Sequence, residues 1–212
     1  MIPGISVSAK PGQPQSRVTL TDDEGVAVSA RQAPMQWITH GERSLYDSHW
    51  VNLCLVDVEQ PDGRRWEHHV IRMRHLAVVA VVNEAHEVLL LWRHRFITNT
   101  WAWELPMGLI EDDETPEEAA VREVEEETGW RPGTLRPLAY SQPANGITDS
   151  EHFVFRCDDA RYVGPPSEKN EADRMEWIPL AKVLGMIDRR EIVSAGSLVG
   201  LMRLLLDEGG CT

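Results

Sequence analysis

Residues Gly108 to Trp130 read GLIEDDETPEEAAVREVEEETGW, ten carboxylates against one arginine. Thr115-Pro116-Glu117-Glu118 carries the marks of a helix start, with Thr115 as N-cap, Pro116 at the first helical position and Glu118 closing a capping box. Gly129 supplies the stop. Glu123, Glu126 and Glu127, spaced i, i+3 and i+4, share one helix face, while Ala120, Val121, Val124 and Thr128 form an adjoining face able to pack on a sheet. Two like charges about 4 Å apart repel by on the order of 4 kcal/mol at an effective dielectric near 20. Helix pairs of Arg122 with Glu118 or Glu126 return only roughly 0.2–0.5 kcal/mol each. Either the face is simply solvated, as charge runs commonly are, or a cation sits on it. Hard divalent cations with oxygen ligands suit such a face, and Mg2+ in particular is held by few carboxylates plus substrate phosphates. Spacing alone leaves both readings open, a solvated face and a metal clamp whose cargo is phosphate.

Upstream, LAVVAVV (76–82) and EVLLLWR (87–93) flank NEAH and predict a hairpin of core strands covered on both faces, the setting that continuous apolar runs suit. WVNLCLVDVE from Trp50 and RRWEHHVIRM, joined by Pro61-Asp62-Gly63, predict a second hairpin. Residues 1–34 hold Pro3, Gly4, Pro11, Gly12, Pro14 and Pro34 with few large apolar side chains, and predict a flexible arm with a short strand near RVTL. Downstream, EHFVFRC and RMEWIPL have strand patterns, and LAKVLGMIDR and SLVGLMRLLLDE have helical apolar spacing. Strands interrupted by helices, without regular alternation, indicate an α/β (α+β) layout and no simple doubly wound order.

At 212 residues, 42% apolar and 26% charged, the chain suits one main core with appendages. Its formal charge of −13 opposes binding to nucleic-acid backbones and to anionic membranes. Cys54, Cys157 and Cys211 are odd in number and lack a Cys-x-x-Cys pair, which argues against a disulfide framework and a structural zinc site. With neither a span of roughly 20 apolar residues nor a signal-peptide layout, a cytoplasmic protein is expected. The eight histidines lack metallopeptidase spacing, and neither a nucleophile elbow nor a P-loop occurs.

Read from Gly108, the segment runs Gly, five residues, Glu114, seven residues, then Arg122-Glu123-Val124-Glu125-Glu126-Glu127-Thr128-Gly129-Trp130. This resembles the complete signature of the Nudix hydrolase family, departing only in its last apolar position, usually aliphatic and here Trp130. LLLWRHRFITNTWAWELPMG and EWIPLAKVLGMIDRREIVSAGSL are similar to the flanking regions of ADP-ribose pyrophosphatases and related nucleotide-sugar hydrolases. Roughly residues 42–206 are covered, the box being the specific part.

The resemblance implies an α/β/α sandwich with a mixed sheet over residues 75–212, preceded by a small antiparallel β region over 35–74 that serves as a candidate dimerisation element of a homodimer. It implies hydrolysis of a nucleoside diphosphate linked to another group, with Mg2+ or Mn2+. Glu123, Glu126, Glu127 and the Met107 carbonyl would be metal ligands, and Arg122 with Glu114 the ion pair bracing the loop. The reaction needs a base, which the resemblance puts in the loop SEKNEADRMEW, with Glu171 favoured over Glu168. Arg95 aligns with a phosphate-contacting arginine, a surface ion pair being the alternative. Trp50 stands where the subgroup supplies a base-stacking aromatic, unless it is core. Many ADP-ribose pyrophosphatases have a Ser-Pro-Gly turn followed by an acidic residue; here SQPANGITDSE inserts Gln142, displaces Gly146 and leaves Glu151 as the acidic residue. The most direct expectation is ADP-ribose cleaved to AMP and ribose 5-phosphate. A hydrolase of nucleoside triphosphates and a non-catalytic nucleotide sensor are the alternatives.

Overall fold

Twelve strands and three helices follow one another in a computed structural model that describes residues 35–168 and 170–209. The arm expected at 1–34, with its strand near RVTL, lies outside the described residues. The first sheet joins β1 (Ile38–Asp47), β2 (Asn52–Glu59) and β3 (Arg65–Arg72) in that order, all antiparallel. The hairpin expected around Pro61-Asp62-Gly63 is present as β2 and β3, with Gly63 at φ 84° in the turn. Sequence patterning does not reveal β1. All ten of its residues are exposed, so it shows no alternation of apolar and polar. Its ladder to β2 and cross-strand ion pairs such as Arg43 with Glu67 and Glu42 with Arg72 define it instead.

The central sheet has the order β7 (Met107–Leu109), β4 (Leu76–Val81), β10 (His152–Cys157), β9 (Arg136–Ser141). Its β4–β10 pair is parallel and the others antiparallel, which makes it the mixed sheet expected. β12 (Arg174–Pro179), β5 (Glu87–Arg95) and β6 (Thr100–Glu104) form a separate antiparallel sheet, and β8 (Trp130–Arg131) pairs with β11 (Arg161–Tyr162). The hairpin expected from LAVVAVV and EVLLLWR is corrected: the two runs meet only in the isolated bridge Val82–Val88 and then enter different sheets. Asn83 Oδ1 accepts from Ala85 and Glu87 N–H and turns the chain there. An apolar run buried on both faces has no polar side to specify a neighbour, so adjacency along the chain is a poor guide to pairing.

Alternation along β4 divides the interior. Val78, Ala80 and Val82 face one way, into a cluster with Val183 and Met186 of α2 (Leu180–Asp188) and Leu201 and Leu204 of α3 (Ala195–Glu208). Ala77, Val79 and Val81 face the other way, onto Ala119, Ala120 and Val124 of α1 (Pro116–Thr128). Helices on both faces of the sheet give the α/β/α sandwich. Ala119 and Ala120 are fully buried, and such small side chains let the axis of α1 approach the sheet closely, carrying its glutamates with it.

Candidate active site

The start of α1 forms as the sequence specifies. Thr115 Oγ1 accepts from Glu118 N–H at 3.2 Å, and Glu118 Oε2 accepts from Thr115 N–H at 2.8 Å. At the other end Gly129 is left-handed, φ 73°, and a Cβ there would stand 1.9 Å from the Gly164 carbonyl oxygen. That contact belongs to a strap. Val163 N–H donates to Gly129 O, and Glu168 N–H and Ser167 Oγ donate to Glu126 O, so the segment 163–168 is tied to the last turn of α1.

Of the three box glutamates, Glu123 and Glu127 are buried and Glu126 is part-exposed. The Arg122 guanidinium ties the loop to the helix. It donates to both Glu114 oxygens at 2.8 and 2.9 Å, to Leu109 O at 2.9 Å, to Glu123 at 2.7 Å and to Glu126 at 3.1 Å. The like-charge repulsion of the helix face is thus met partly from within the chain.

Glu127 Oε2 accepts from Met107 N–H at 3.1 Å, while Oε1 forms a close ion pair with Arg93. Burial pushes the Glu127 carboxyl up to about 8, against the pull of Arg93 and the Met107 amide. Glu123 is raised too, chiefly by burial, and Glu168 by burial and the neighbouring charges of Glu171 and Glu126. Carboxylate oxygens of Glu123, Glu127 and Glu168 lie within 4.8 Å of one another, a spacing that suits a shared cation. A Cβ on Gly108 would fall 1.9 Å from Glu123 Cδ, so glycine here opens the space that this carboxylate fills. Two buried carboxylates and a part-buried one, converging beside a backbone with no side chain, fit a divalent metal.

The remaining sequence-derived residues are spread around this centre. Glu171 is half exposed, with Oε2 3.7 Å from Arg93 Nη1. Arg95, on the same face of β5 as Arg93, is forked onto Glu104 through Nε at 3.1 Å and Nη2 at 2.5 Å. Trp50 is 69% exposed, hence not core, and lines an open recess of about 530 Å³ with Arg72, Arg74, His75, Asp112 and Phe153. Glu151 lines a different recess and accepts from Tyr140 Oη at 2.6 Å, with Gln142 Nε2 donating to that same hydroxyl at 2.9 Å. The Gln142 segment is fastened to β3 by Ile71 N–H to Ile147 O and by the Arg72–Asp149 ion pair. Sequence reasoning passes over Arg93. The available signal is a charge that continues the buried Leu89–Leu91 face of β5.

An α/β/α sandwich that presents buried carboxylates from a capped loop–helix–loop defines the Nudix class, and residues 73–195 match the profile of the NUDIX domain. The chain belongs to the Nudix hydrolase family. It is 40% identical over 171 residues to a CMP-5'-(N-acetyl-N-hydroxy-3-aminopropyl)phosphonate hydrolase of Streptomyces rubellomurinus, covering 81% of this chain and 83% of the relative. It is 25% identical over 175 residues to an ADP-ribose pyrophosphatase of Bacillus subtilis, covering 80% of this chain and 93% of the relative. A solved ADP compounds hydrolase superposes with a TM-score of 0.71 at 20% identity, over 85% of this chain and all of that one, and shows the same fold. Among the described residues no helix is long and apolar enough to cross a membrane.

Proposed function

We propose that the protein is a Mg2+-dependent hydrolase of the pyrophosphate bond in a nucleoside diphosphate linked to another group, with a nucleoside diphosphate sugar such as ADP-ribose as the leading substrate class. The observation that carries this reading is the convergence of Glu123, Glu127 and Glu168 within 4.8 Å. Glu123 and Glu127 would hold the ion, with Glu126 and the Met107 carbonyl as further donors; Mn2+ suits the same set. A divalent cation bound there neutralises diphosphate charge and lowers the pKa of coordinated water.

The chain's own groups supply the rest. Arg122 clamps Glu114, Glu123 and Glu126 in one arrangement, so that the ligand oxygens are preset. Arg95 offers its guanidinium edge to a phosphate once it exchanges Glu104, and Trp50 and Glu151 border the space for nucleoside and second group. For the proton acceptor, position favours Glu168 over the Glu171 preferred from sequence. Glu168 belongs to the carboxylate group and its strap fixes it to α1, whereas Glu171 points toward Arg93. The exposed apolar side chains Trp37, Ile38, Leu45 and Tyr46 on and beside β1 support a homodimer formed through the first sheet.

A CMP-linked phosphonate is a second reading. It is favoured by the 40% identity to the Streptomyces relative and by the altered loop at Gln142. One assay separates the readings: phosphate release, coupled to a phosphatase, from ADP-ribose, ADP-glucose, GDP-mannose, NADH, nucleoside triphosphates and a CMP-linked phosphonate, with and without Mg2+. The leading reading requires Mg2+-dependent turnover of a nucleoside diphosphate sugar at the highest kcat/KM; preference for triphosphates, or turnover without divalent ions, would overturn it.

A further inference from the structure

Arg93 reaches the carboxylate group from β5 with its guanidinium fork only partly engaged. Its side chain is 3% exposed and its partner Glu127 only 1%. Nη2 meets Glu127 as a close but poorly aligned ion pair, and among the described residues Nε has no acceptor. Arg122, by contrast, spends its donors on three carboxylates and a carbonyl. A permanent structural bridge would be expected to satisfy its fork as Arg122 does, since orphaned buried donors are costly. What Arg93 supplies to Glu127 is charge. The same carboxylate belongs to the group that fits a cation, and the half-exposed Glu171 holds its Oε2 3.7 Å from Nη1.

We propose that Arg93 is a built-in counter-cation for Glu127: it competes with the divalent ion for that carboxylate and passes to Glu171 when the ion takes Glu127. The proposal rests on the metal-clamp reading above. A buried carboxylate with no cation is expensive, so a resident positive charge keeps the site assembled between metal-loading events. Competition by that charge also holds metal affinity below what the oxygens alone would give. Arg93 is a positioning residue here, acting on Glu127 and Glu171.

The test is calorimetric titration of Mg2+ alone into chelator-stripped protein at about pH 8.5, where Glu127 carries its charge, with melting curves recorded before and after addition. Arg93→Met removes the competitor, so Mg2+ should bind about tenfold more tightly, a difference of about 1.4 kcal/mol. The metal-free variant should melt below the wild type, with Mg2+ restoring most of the loss. Arg93→Lys keeps the charge and should bind Mg2+ much as the wild type does. Unchanged affinity in folded Arg93→Met overturns the proposal, as does an equal loss of melting temperature with and without Mg2+. If the wild type itself binds neither Mg2+ nor Mn2+, the metal-clamp reading fails and takes the proposal with it. Should Arg93→Met not fold, the wild-type Arg93 Nε–Hε nuclear magnetic resonance, assigned with Arg93→Lys, must move on adding Mg2+; a stationary signal overturns the proposal.

Discussion

The Gly108 backbone and the Glu123 carboxyl occupy adjoining space, so that a methyl group at 108 would stand 1.9 Å from Glu123 Cδ. The clash falls on the far end of a flexible side chain, which can swing away at small cost to folding. Gly108→Ala should therefore melt within a few degrees of the wild type yet lose roughly a hundredfold in turnover, the scale expected from displacing a ligand by about 1 Å. Thermal melts and steady-state kinetics at saturating Mg2+ check this; wild-type turnover would show that Glu123 needs no such placement.

Glu127 connects stability to pH in the metal-free protein. Its folded-state value of about 8 lies above the unfolded 4.5, so the stabilisation it contributes is complete below about 4.5 and is lost as pH rises toward 8. Chelator-treated protein should melt progressively lower from pH 5 to pH 8.5, by a few kcal/mol in stability. Glu127→Gln should flatten that dependence while cutting turnover by orders of magnitude. The rise in melting temperature on adding Mg2+ should grow with pH, because the cation binds the ionised form.

His152 carries the opposite sign. Its ring is buried, Nδ1 has no hydrogen-bond partner among the described residues, and burial lowers its pKa from 6.5. A depressed base pKa contributes stability above about pH 6.5 and loses it as pH falls, since the folded state resists the proton. Stability should drop between pH 6.5 and 5, and His152→Leu should shrink that drop. Equal slopes in wild type and variant would assign the acid sensitivity to other groups.

Gly129 holds α1 and the 163–168 strap together. Alanine there would be strained at φ 73° and would drive its methyl into the Gly164 carbonyl. Melting should fall by roughly 5–10 °C, at 2–4 °C per kcal/mol for a domain of this size. Because Glu168 hangs on the same strap, kcat should fall further than a loss of stability alone explains. The ratio of kcat values at a temperature where both proteins are fully folded measures that excess.

Glu168→Gln and Glu171→Gln form a pair of opposed expectations. Proton acceptance by Glu168 requires the first to lower kcat by orders of magnitude and the second to act more mildly, through Arg93. Pre-steady-state and steady-state rates with the preferred substrate decide between them, and the reverse order returns the role to Glu171.

The sequence alone determined α1 from Thr115 to Gly129, its capping box and its glutamate face, because each depends on residues close in the chain and on side chains with few alternatives, while the Arg122–Glu114 brace came from the family resemblance. It also marked both C-terminal helices and the strand runs, through apolar periodicity. Tertiary structure decided the rest. LAVVAVV and EVLLLWR, apolar on both faces, joined different sheets, and β1 formed with no buried residue to announce it. Only the folded chain brought Arg93 of β5 and Glu168 of the strap to Glu127, contacts spanning 34 and 41 residues of sequence respectively. Spacing along a chain encodes which side chains share a helix face; which charges meet across elements depends on how those faces pack, and that is a property of the whole core.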